Sequence, residues 1–245
     1  MSCFSIAPKP FIRMSDFSYI GSELELFAAV RNWKAYWSDR IRPYIRGDVV
    51  EVGAGIGSNT AVMHPGGDVR WVCLEPDSRL TARIPEHIAA LRQCEIVCGT
   101  LAELEPARRF DTVIYIDVLE HIEDDRGELR LAASRLRPGG HIVVLSPAHQ
   151  QLYTPFDEAI GHYRRYNRGM LGAISPPGCR LERMEYLDSV GLLLSAANRL
   201  FLKQSMPTAR QLQFWDRWVI PVSRLLDPCL LRRAGKSILA IWAGR

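Results

Sequence analysis

Short apolar runs rich in β-branched residues recur along this chain, with helical or polar stretches between them. The five clearest runs are Asp48–Gly53, Val69–Glu75, Glu95–Cys98, Asp111–Ile116 and His141–Ser146. Alternation of this kind is typical of βαβ units, which place their strands side by side in a mostly parallel sheet. We therefore predict a doubly wound α/β fold. Hydrophobic residues make up 47% of the 245 residues, which is enough to fill one core and excludes intrinsic disorder.

The stretch between the fourth and fifth runs has leucines and alanines at helical spacing. It covers Gly127–Leu136 and is followed directly by Arg137–Gly140. Arginines in a last turn and glycines just beyond it are helix stop signals. The pattern therefore predicts a helix over Gly127–Leu136 that ends at this proline and glycine cluster.

Two parts of the chain do not follow the alternation. The first, Gly21–Tyr44, has tryptophans, tyrosine and leucine at a spacing that predicts one or two amphipathic helices. The second covers residues 191–235 and is rich in leucine and aromatic residues. It lies between two late strand candidates, Leu181–Leu187 and Ser237–Trp242, and predicts a helical insertion before the last strand.

Charge and cysteine content restrict the kind of partner and the cellular compartment that the chain is expected to have. Lys+Arg 31 against Asp+Glu 27 gives a net charge of +4, which is too small to indicate a nucleic-acid binder, and no basic or aromatic module is appended. The 6 cysteines form no C-x-x-C pair, so we expect reduced thiols. The sequence shows neither a leader pattern nor a long apolar run, so we expect a cytoplasmic protein.

A glycine-rich loop follows the first predicted strand. Glycines at 53, 55 and 57 let the backbone turn sharply and approach a ligand, while the next helix start presents unpaired N–H groups. The third glycine comes one place too early for a dinucleotide fingerprint, which needs a small residue where Ser58 stands. About 20 residues further on, Glu75 ends the second predicted strand, where a carboxylate can accept hydrogen bonds from both hydroxyls of a ribose.

The stretches EVGAGIG, CLEPD, FDTVIYIDVLEHIEDD and LRPGGHIVVLSP together resemble the class I S-adenosylmethionine-dependent methyltransferases, over about Asp48–Ser146. The resemblance implies a Rossmann-like sheet of seven strands with an antiparallel last strand, and S-adenosylmethionine as cofactor. It also implies that the cofactor contacts lie at the strand ends. These are Glu51, Gly53, Ala54, Gly55 and Gly57 for the methionine part, Glu75, Pro76 and Asp77 for the ribose, and Asp117 and Val118 near the sulfonium.

The resemblance does not determine which group contacts adenine. Many relatives place an acidic residue after the glycine of the third strand, whereas here Gly99 is followed by Thr100 and Leu101. We therefore expect adenine to meet a backbone N–H here or the Thr100 hydroxyl.

Candidates for the acceptor side lie after the fifth predicted strand, in the stretch F-D-E-x-x-G-H-Y-R-R-Y. This stretch is similar to one in bacterial methyltransferases of lipid, glycan-precursor and natural-product pathways. Histidine can act as a base near neutral pH, and arginine binds anionic groups. We expect a catalytic base at His162, with His149 and Tyr166 as further catalytic candidates, and acceptor contacts from Tyr153, Arg164 and Arg165. The alternative is that ion pairs with Asp157 and Glu158 clamp this loop onto the sheet.

A metal site is the other alternative at this place. The spacing Asp117-x-x-Glu120-His121 resembles the ligand set of some metal-dependent O-methyltransferases, and His149 or His162 could add a nitrogen ligand. The same Glu-His pair occurs in metal-free relatives. We therefore predict no metal.

The resemblance divides the chain into four predicted parts. They are an N-terminal helical cap (1–47), a cofactor-binding core (48–190), the helical insertion as an acceptor cap (191–235), and the last strand (236–245). The insertion could also form a homodimer face or make peripheral membrane contact.

The predicted activity is methyl transfer to a small-molecule, lipid-linked or sugar-linked acceptor, at oxygen rather than nitrogen or carbon. An N- or C-methyltransferase of a natural product is the alternative within this class, and two other classes remain open. A non-catalytic donor-binding protein would keep the same loop. A nicotinamide-dependent oxidoreductase is disfavoured by Ser58 and by the lack of a Tyr-x-x-x-Lys pair.

Overall fold

A computed structural model of the chain describes residue 19 and residues 24–197 and 208–245. The predicted helical positions 21–23 and the insertion residues 198–207 lie outside this range. Within it, no helix combines the length and the apolar character needed to cross a membrane.

Seven strands form one sheet in the order β3-β2-β1-β4-β5-β7-β6. The strands are β1 (Asp48–Val52), β2 (Arg70–Glu75), β3 (Cys94–Cys98), β4 (Phe110–Ile116), β5 (Leu136–Pro147), β6 (Cys179–Leu187) and β7 (Ser237–Gly244). The first five strands pair in parallel, and β7 pairs antiparallel with both β5 and β6. The predicted fold class, with its antiparallel last strand, is confirmed.

The central strands are buried on both faces. In β1, Val49 packs into one apolar cluster and Val50 into the other, because successive side chains of a strand point to opposite faces. Helices cover both faces of the sheet. This explains why the predicted strands appear in the sequence as nearly continuous apolar runs.

Of the helices described, two precede the first strand, and the others lie in the connections between strands. They are α1 (Leu24–Ala28), α2 (Asn32–Ile41), α3 (Thr60–Met63), α4 (Ser78–Thr81), α5 (Ile84–Ile88), α6 (Asp125–Ser134), α7 (Pro155–Ala159), α8 (Arg168–Ala173), α9 (Ser189–Ala197), α10 (Ala209–Phe214) and α11 (Ile220–Cys229). A π-helical turn, Trp215–Val219, joins α10 to α11.

The prediction of a helix ending at Arg137–Gly140 was wrong in its boundary. Helix α6 ends at Ser134, and Leu136 already pairs with Phe110 as the first residue of β5. A Cβ on Gly140 would lie 3.0 Å from the carbonyl oxygens of Arg137 and Asp111. This glycine therefore allows close backbone approach beside an irregularity in the β4–β5 register, and does not cap the helix.

The described part of the insertion is helical, as predicted, and it is tied to the N-terminal segment. The Asp216 carboxylate accepts hydrogen bonds from the backbone N–H groups of Arg31 (3.0 Å), Asn32 (3.2 Å) and Trp33 (2.9 Å), at the start of α2. Helix α2 and the insertion therefore form one unit over the sheet. The outer side of the insertion exposes Trp218 and Leu225, and the homodimer or membrane contact of this face stays a prediction.

Candidate active site

The glycine loop after β1 adopts a backbone that other residues avoid. Gly53, Gly55 and Gly57 have φ values of +70°, +57° and +82°. A Cβ on Gly53 would also lie 2.5 Å from Val118 Cγ2. The N–H groups of Gly53 and Ala54 both donate to the Leu74 carbonyl, at 2.8 and 3.0 Å. The loop is therefore folded over the carboxyl ends of β1, β2 and β4.

Glu75 fixes this loop from the end of β2. Its two carboxylate oxygens accept hydrogen bonds from the N–H groups of Gly55 (2.8 Å) and Asp77 (3.0 Å). Burial raises the pKa of Glu75, against the effect of these two bonds. Glu75 and Pro76 line a cavity, together with Gly53, Ala54 and Gly55. A carboxylate offers about four acceptor positions, so Glu75 keeps capacity for a ligand.

Thr100 and Leu101 line the same side of the cavity. The backbone N–H and the hydroxyl of Thr100 both donate to Glu103 Oε2, at 2.7 and 2.9 Å. Both donors of Thr100 are therefore used by Glu103, and the predicted adenine contact through a backbone N–H of this segment stays a prediction. Sequence reasoning missed this acid, which lies three residues beyond Thr100 and beside Gly99.

Glu51 and Gly57 support the loop from behind and do not line the cavity. Glu51 is 1% exposed, and its Oε2 accepts hydrogen bonds from the Thr60 hydroxyl and from Trp71 Nε1–H. Burial raises the pKa of Glu51 to about 7. In the structure both residues lie behind the loop, and their predicted contact with the cofactor stays a prediction.

Asp117 follows β4 with a φ of +54°, and its side chain is open to the cavity although it lies deep in the protein. Burial raises its pKa. Lys34 reaches the same place from α2, and its ammonium donates to the Ser58 hydroxyl at 2.8 Å. Burial lowers the pKa of Lys34 to about 8. Sequence reasoning missed Lys34, since a single lysine in a helix normally indicates an exposed position.

His162 is hydrogen-bonded to Asp157, which is in turn paired with Arg165. Its Nδ1 lies 3.0 Å from Asp157 Oδ1, and Arg165 donates to both oxygens of Asp157, each at 2.8 Å. Burial would raise the pKa of Asp157, but the hydrogen bonds from His162 and Arg165 outweigh it and hold that pKa well below its usual range. An ionised Asp157 places the His162 proton on Nδ1 and leaves Nε2 as an acceptor beside the cavity.

Two more titratable groups lie next to His162. Glu120 Oε1 is 3.9 Å from His162 Nε2, and neither oxygen of Glu120 has a hydrogen-bond partner among the residues described. Burial and then Asp117 raise the pKa of Glu120 well above its ordinary value. The His121 ring meets the His162 ring edge-on at 4.5 Å, and burial lowers the pKa of His121 to about 4.

Glu120, His121 and His162 each offer one ligand atom within 4.8 Å of the others, so this cluster has the donor types of a divalent-metal site. Asp117, predicted as part of the alternative ligand set, is not in the cluster. The prediction of no metal stays a prediction.

On the donor side Asp77 does not line the cavity, and on the acceptor side three expected residues do not: His149, Arg164 and Tyr166. The His149 ring stacks on the Tyr186 ring, with 5.0 Å between the ring centres. Arg164 donates to the backbone carbonyl of Ile122 at 3.0 Å and forms an ion pair with Asp125 at 2.7 Å. Tyr166 is fully buried and donates to the Asp125 carboxylate. These side chains hold the loop onto the sheet, so the clamp alternative describes them better than contact with an acceptor.

Tyr153 and Arg165 do line the cavity. The Tyr153 hydroxyl donates to the His162 carbonyl at 2.6 Å. The sequence predicts that Arg165 contacts an anionic acceptor. Its guanidinium already has an anionic partner in the protein, because Asp157 binds it through two hydrogen bonds.

The cavity has a volume of about 1220 Å³ and continues beyond the strand ends into an apolar lobe. That volume exceeds the usual size of a single small-molecule pocket. The walls of the lobe are apolar and come from α2, from α7 with the turn before it, and from the insertion. They include Trp33, Leu152, Phe156, Leu194, Phe214 and Trp215. The cavity therefore has room for two ligands, one over the glycine loop and one in the lobe.

Residues 25–213 match the model of a protein family described as a methyltransferase domain. Curated relatives include the ubiquinone biosynthesis O-methyltransferases of Idiomarina loihiensis and Cupriavidus pinatubonensis. The first is 35% identical over 98 residues, covering 38% of this chain and 40% of the relative. The second is 31% identical over 111 residues, covering 44% of each protein. The chain thus spans less than half the length of these relatives.

Solved structures share the fold. The N-methyltransferase NodS from Bradyrhizobium japonicum, in complex with S-adenosyl-L-homocysteine, superposes with a TM-score of 0.56 at 14% identity, over 88% of each chain. Coclaurine N-methyltransferase superposes with a TM-score of 0.59 at 12% identity, over 85% of this chain and 71% of that chain. At these identities the likeness concerns the architecture alone.

Proposed function

The chain belongs to the class I S-adenosylmethionine-dependent methyltransferases, and from this premise we propose that it methylates a hydroxyl oxygen of an apolar, ring-containing small molecule, with His162 as the base. The family activity makes the chain an enzyme with S-adenosylmethionine as its methyl donor. The acceptor is assigned from the lobe of the cavity beyond the donor site.

The residues over the strand ends suit the donor. Glu75 keeps acceptor positions for the ribose hydroxyls, and Gly53 and Gly55 leave the backbone open to close approach. The Asp117 carboxylate can bind an ammonium, and Lys34 brings a positive charge beside the loop, where a carboxylate would be favoured. Pro76, Thr100, Leu101 and Val118 complete the lining.

The His162–Asp157 hydrogen bond carries the proposal. The bound donor supplies an electrophilic methyl group, which the acceptor oxygen attacks as the carbon–sulfur bond breaks. The acceptor hydroxyl must lose its proton as the new carbon–oxygen bond forms, and His162 Nε2 takes it. Asp157 then stabilises the imidazolium through Nδ1, and Arg165 keeps Asp157 ionised.

The acceptor class is proposed from the lobe and the relatives. Aromatic side chains such as Trp33, Phe156 and Trp215 suit a flat, apolar ring. The relatives named as ubiquinone biosynthesis O-methyltransferases favour oxygen as the acceptor atom. A ring with a lipid or sugar attachment would extend from the lobe past the insertion, which we propose as the acceptor cap.

The test is methyl transfer from methyl-labelled S-adenosylmethionine to matched acceptors, catechol and the phenylenediamine of the same shape. We expect a labelled methyl ether from catechol and no labelled amine. A labelled amine would contradict oxygen as the acceptor atom. Donor binding by calorimetry without transfer to either compound, or to the carboxylated form of either compound, would contradict the proposed acceptor class.

A further inference from the structure

Lys236 stands where the insertion returns to the sheet. Its backbone N–H donates to the Asp188 carbonyl at 3.0 Å, and its carbonyl accepts from the Ala148 N–H at 2.8 Å. Both bonds lie at the carboxyl ends of β5 and β6, the edge of the sheet where Asp117 also stands. The Lys236 side chain lines the cavity at this edge.

The neighbour of the Lys236 ammonium is an aromatic ring. Its Nζ lies 4.9 Å from the centre of the Trp215 ring. In the part of the chain that the structure describes, this ammonium forms neither an ion pair nor a hydrogen bond. A cation over an aromatic face gains only a modest attraction, and Lys236 is half-buried at the wall of the cavity. The ammonium is therefore available to an anionic group of a ligand in the cavity.

Of the acids around Lys236, Asp117 faces the cavity on the donor side, and Asp188 and Asp157 are used by other groups. The Asp188 carboxylate accepts from the Gly191 N–H (2.9 Å), Trp215 Nε1–H (2.8 Å) and the Ser223 hydroxyl (2.6 Å). Asp157 is bound by Thr154, His162 and Arg165. Asp188 also fixes the Trp215 indole, so that its face, and not its N–H, is turned to Lys236.

The lobe beside Lys236 is apolar. Trp33 is 6% exposed, and its ring lies 5.7 Å from that of Trp215. A ligand that fills this lobe would therefore stack its ring on aromatic walls and meet one unpaired cation. An aromatic acid has both features, whereas a neutral phenol would leave the ammonium buried without a partner.

Building on the proposed function, we propose that Lys236 binds a carboxylate carried by the acceptor, so that the enzyme prefers hydroxylated aromatic acids over neutral phenols. The carboxylate of the acceptor lies beside Lys236 and Trp215. The acceptor hydroxyl is then on the side of His162 and the methyl group. Lys236 thus determines acceptor specificity and takes no part in the proton transfer.

The test compares a dihydroxybenzoate with its methyl ester, which keeps the ring and hydroxyls but removes the charge. Calorimetry with S-adenosylhomocysteine present measures both dissociation constants. We expect the acid to bind at least about tenfold more tightly to the unmodified protein, a difference of about 1.4 kcal/mol. Lys236→Met should reduce that preference to less than about twofold, and Lys236→Arg should keep part of it.

Arg233→Met is the matched control, because it removes an exposed cation three residues away and should keep the full preference. Equal dissociation constants for acid and ester in the unmodified protein would overturn the proposal, as would a preference that survives Lys236→Met. The comparison in the unmodified protein is decisive even if Lys236→Met does not fold. If the enzyme methylates the ester as readily as the acid, only the role of Lys236 is contradicted and the proposed function stands.

Discussion

Glu51 gives a pH-dependent stability that can be worked out from its surroundings. It is 1% exposed beneath the glycine loop, and burial raises its pKa from 4.5 to about 7. A raised pKa in the folded state means that the folded protein binds the proton more tightly than the unfolded chain. The stabilisation is therefore fully present below pH ~4.5 and is lost as the pH rises through about 7. A difference of about 2.5 pKa units corresponds to about 3 kcal/mol.

Glu51→Gln removes this ionisation while keeping an oxygen that can accept from Thr60 and Trp71. We expect the free energy of unfolding of the variant, relative to the unmodified protein, to rise by about 3 kcal/mol between pH ~4.5 and pH ~8. Any constant cost of burying the amide cancels in this comparison. Urea unfolding at the two pH values measures it.

Glu86→Gln, at an exposed position of α5, is the matched control and should show no such change. The reasoning is refuted if the difference between Glu51→Gln and the unmodified protein is the same at both pH values. A difference that moves in the opposite direction would also refute it, because Glu51 would then be stabilised in its ionised form.

Two further predictions concern the ligands. Glu75→Ala should weaken the binding of S-adenosylhomocysteine by about 1.5–3 kcal/mol, measured by calorimetry with Glu86→Ala as control, and unchanged affinity would contradict the ribose assignment. Methyl transfer should survive dialysis against a chelator, because the proposed base acts without a Lewis acid. Activity that is lost on chelation and returns with a divalent ion would instead make Glu120, His121 and His162 metal ligands.

The sheet could be predicted from the sequence because its central strands are buried on both faces and each appears as a compact apolar run. The glycine loop could be predicted because positive φ angles at 53, 55 and 57 restrict those positions to glycine. The end of α6 could not be predicted from the sequence. A glycine that ends a helix and a glycine that lets two strands approach closely can stand in the same local sequence. Only the pairing of Leu136 with Phe110 distinguishes them.

The acceptor side was harder to predict because its contacts are long-range. Asp157 and His162 are close in sequence, and an ion pair between them was foreseen. Lys34 and Lys236 come from opposite ends of the chain, and nothing in their local sequence indicates that both line one cavity. Arg164 and Tyr166 belong to the same motif as His162, yet backbone geometry turns them to Asp125.

The most direct test of the account is the rate of methyl transfer by His162→Ala, measured with the acceptor found in the labelled assay. Removing the base should lower kcat by roughly 10²–10⁴-fold and leave the dissociation constant of S-adenosylhomocysteine nearly unchanged. Asp157→Asn should show the same pattern more weakly, since it leaves the imidazole but loses its orientation. A His162→Ala enzyme that keeps its full kcat would contradict the account.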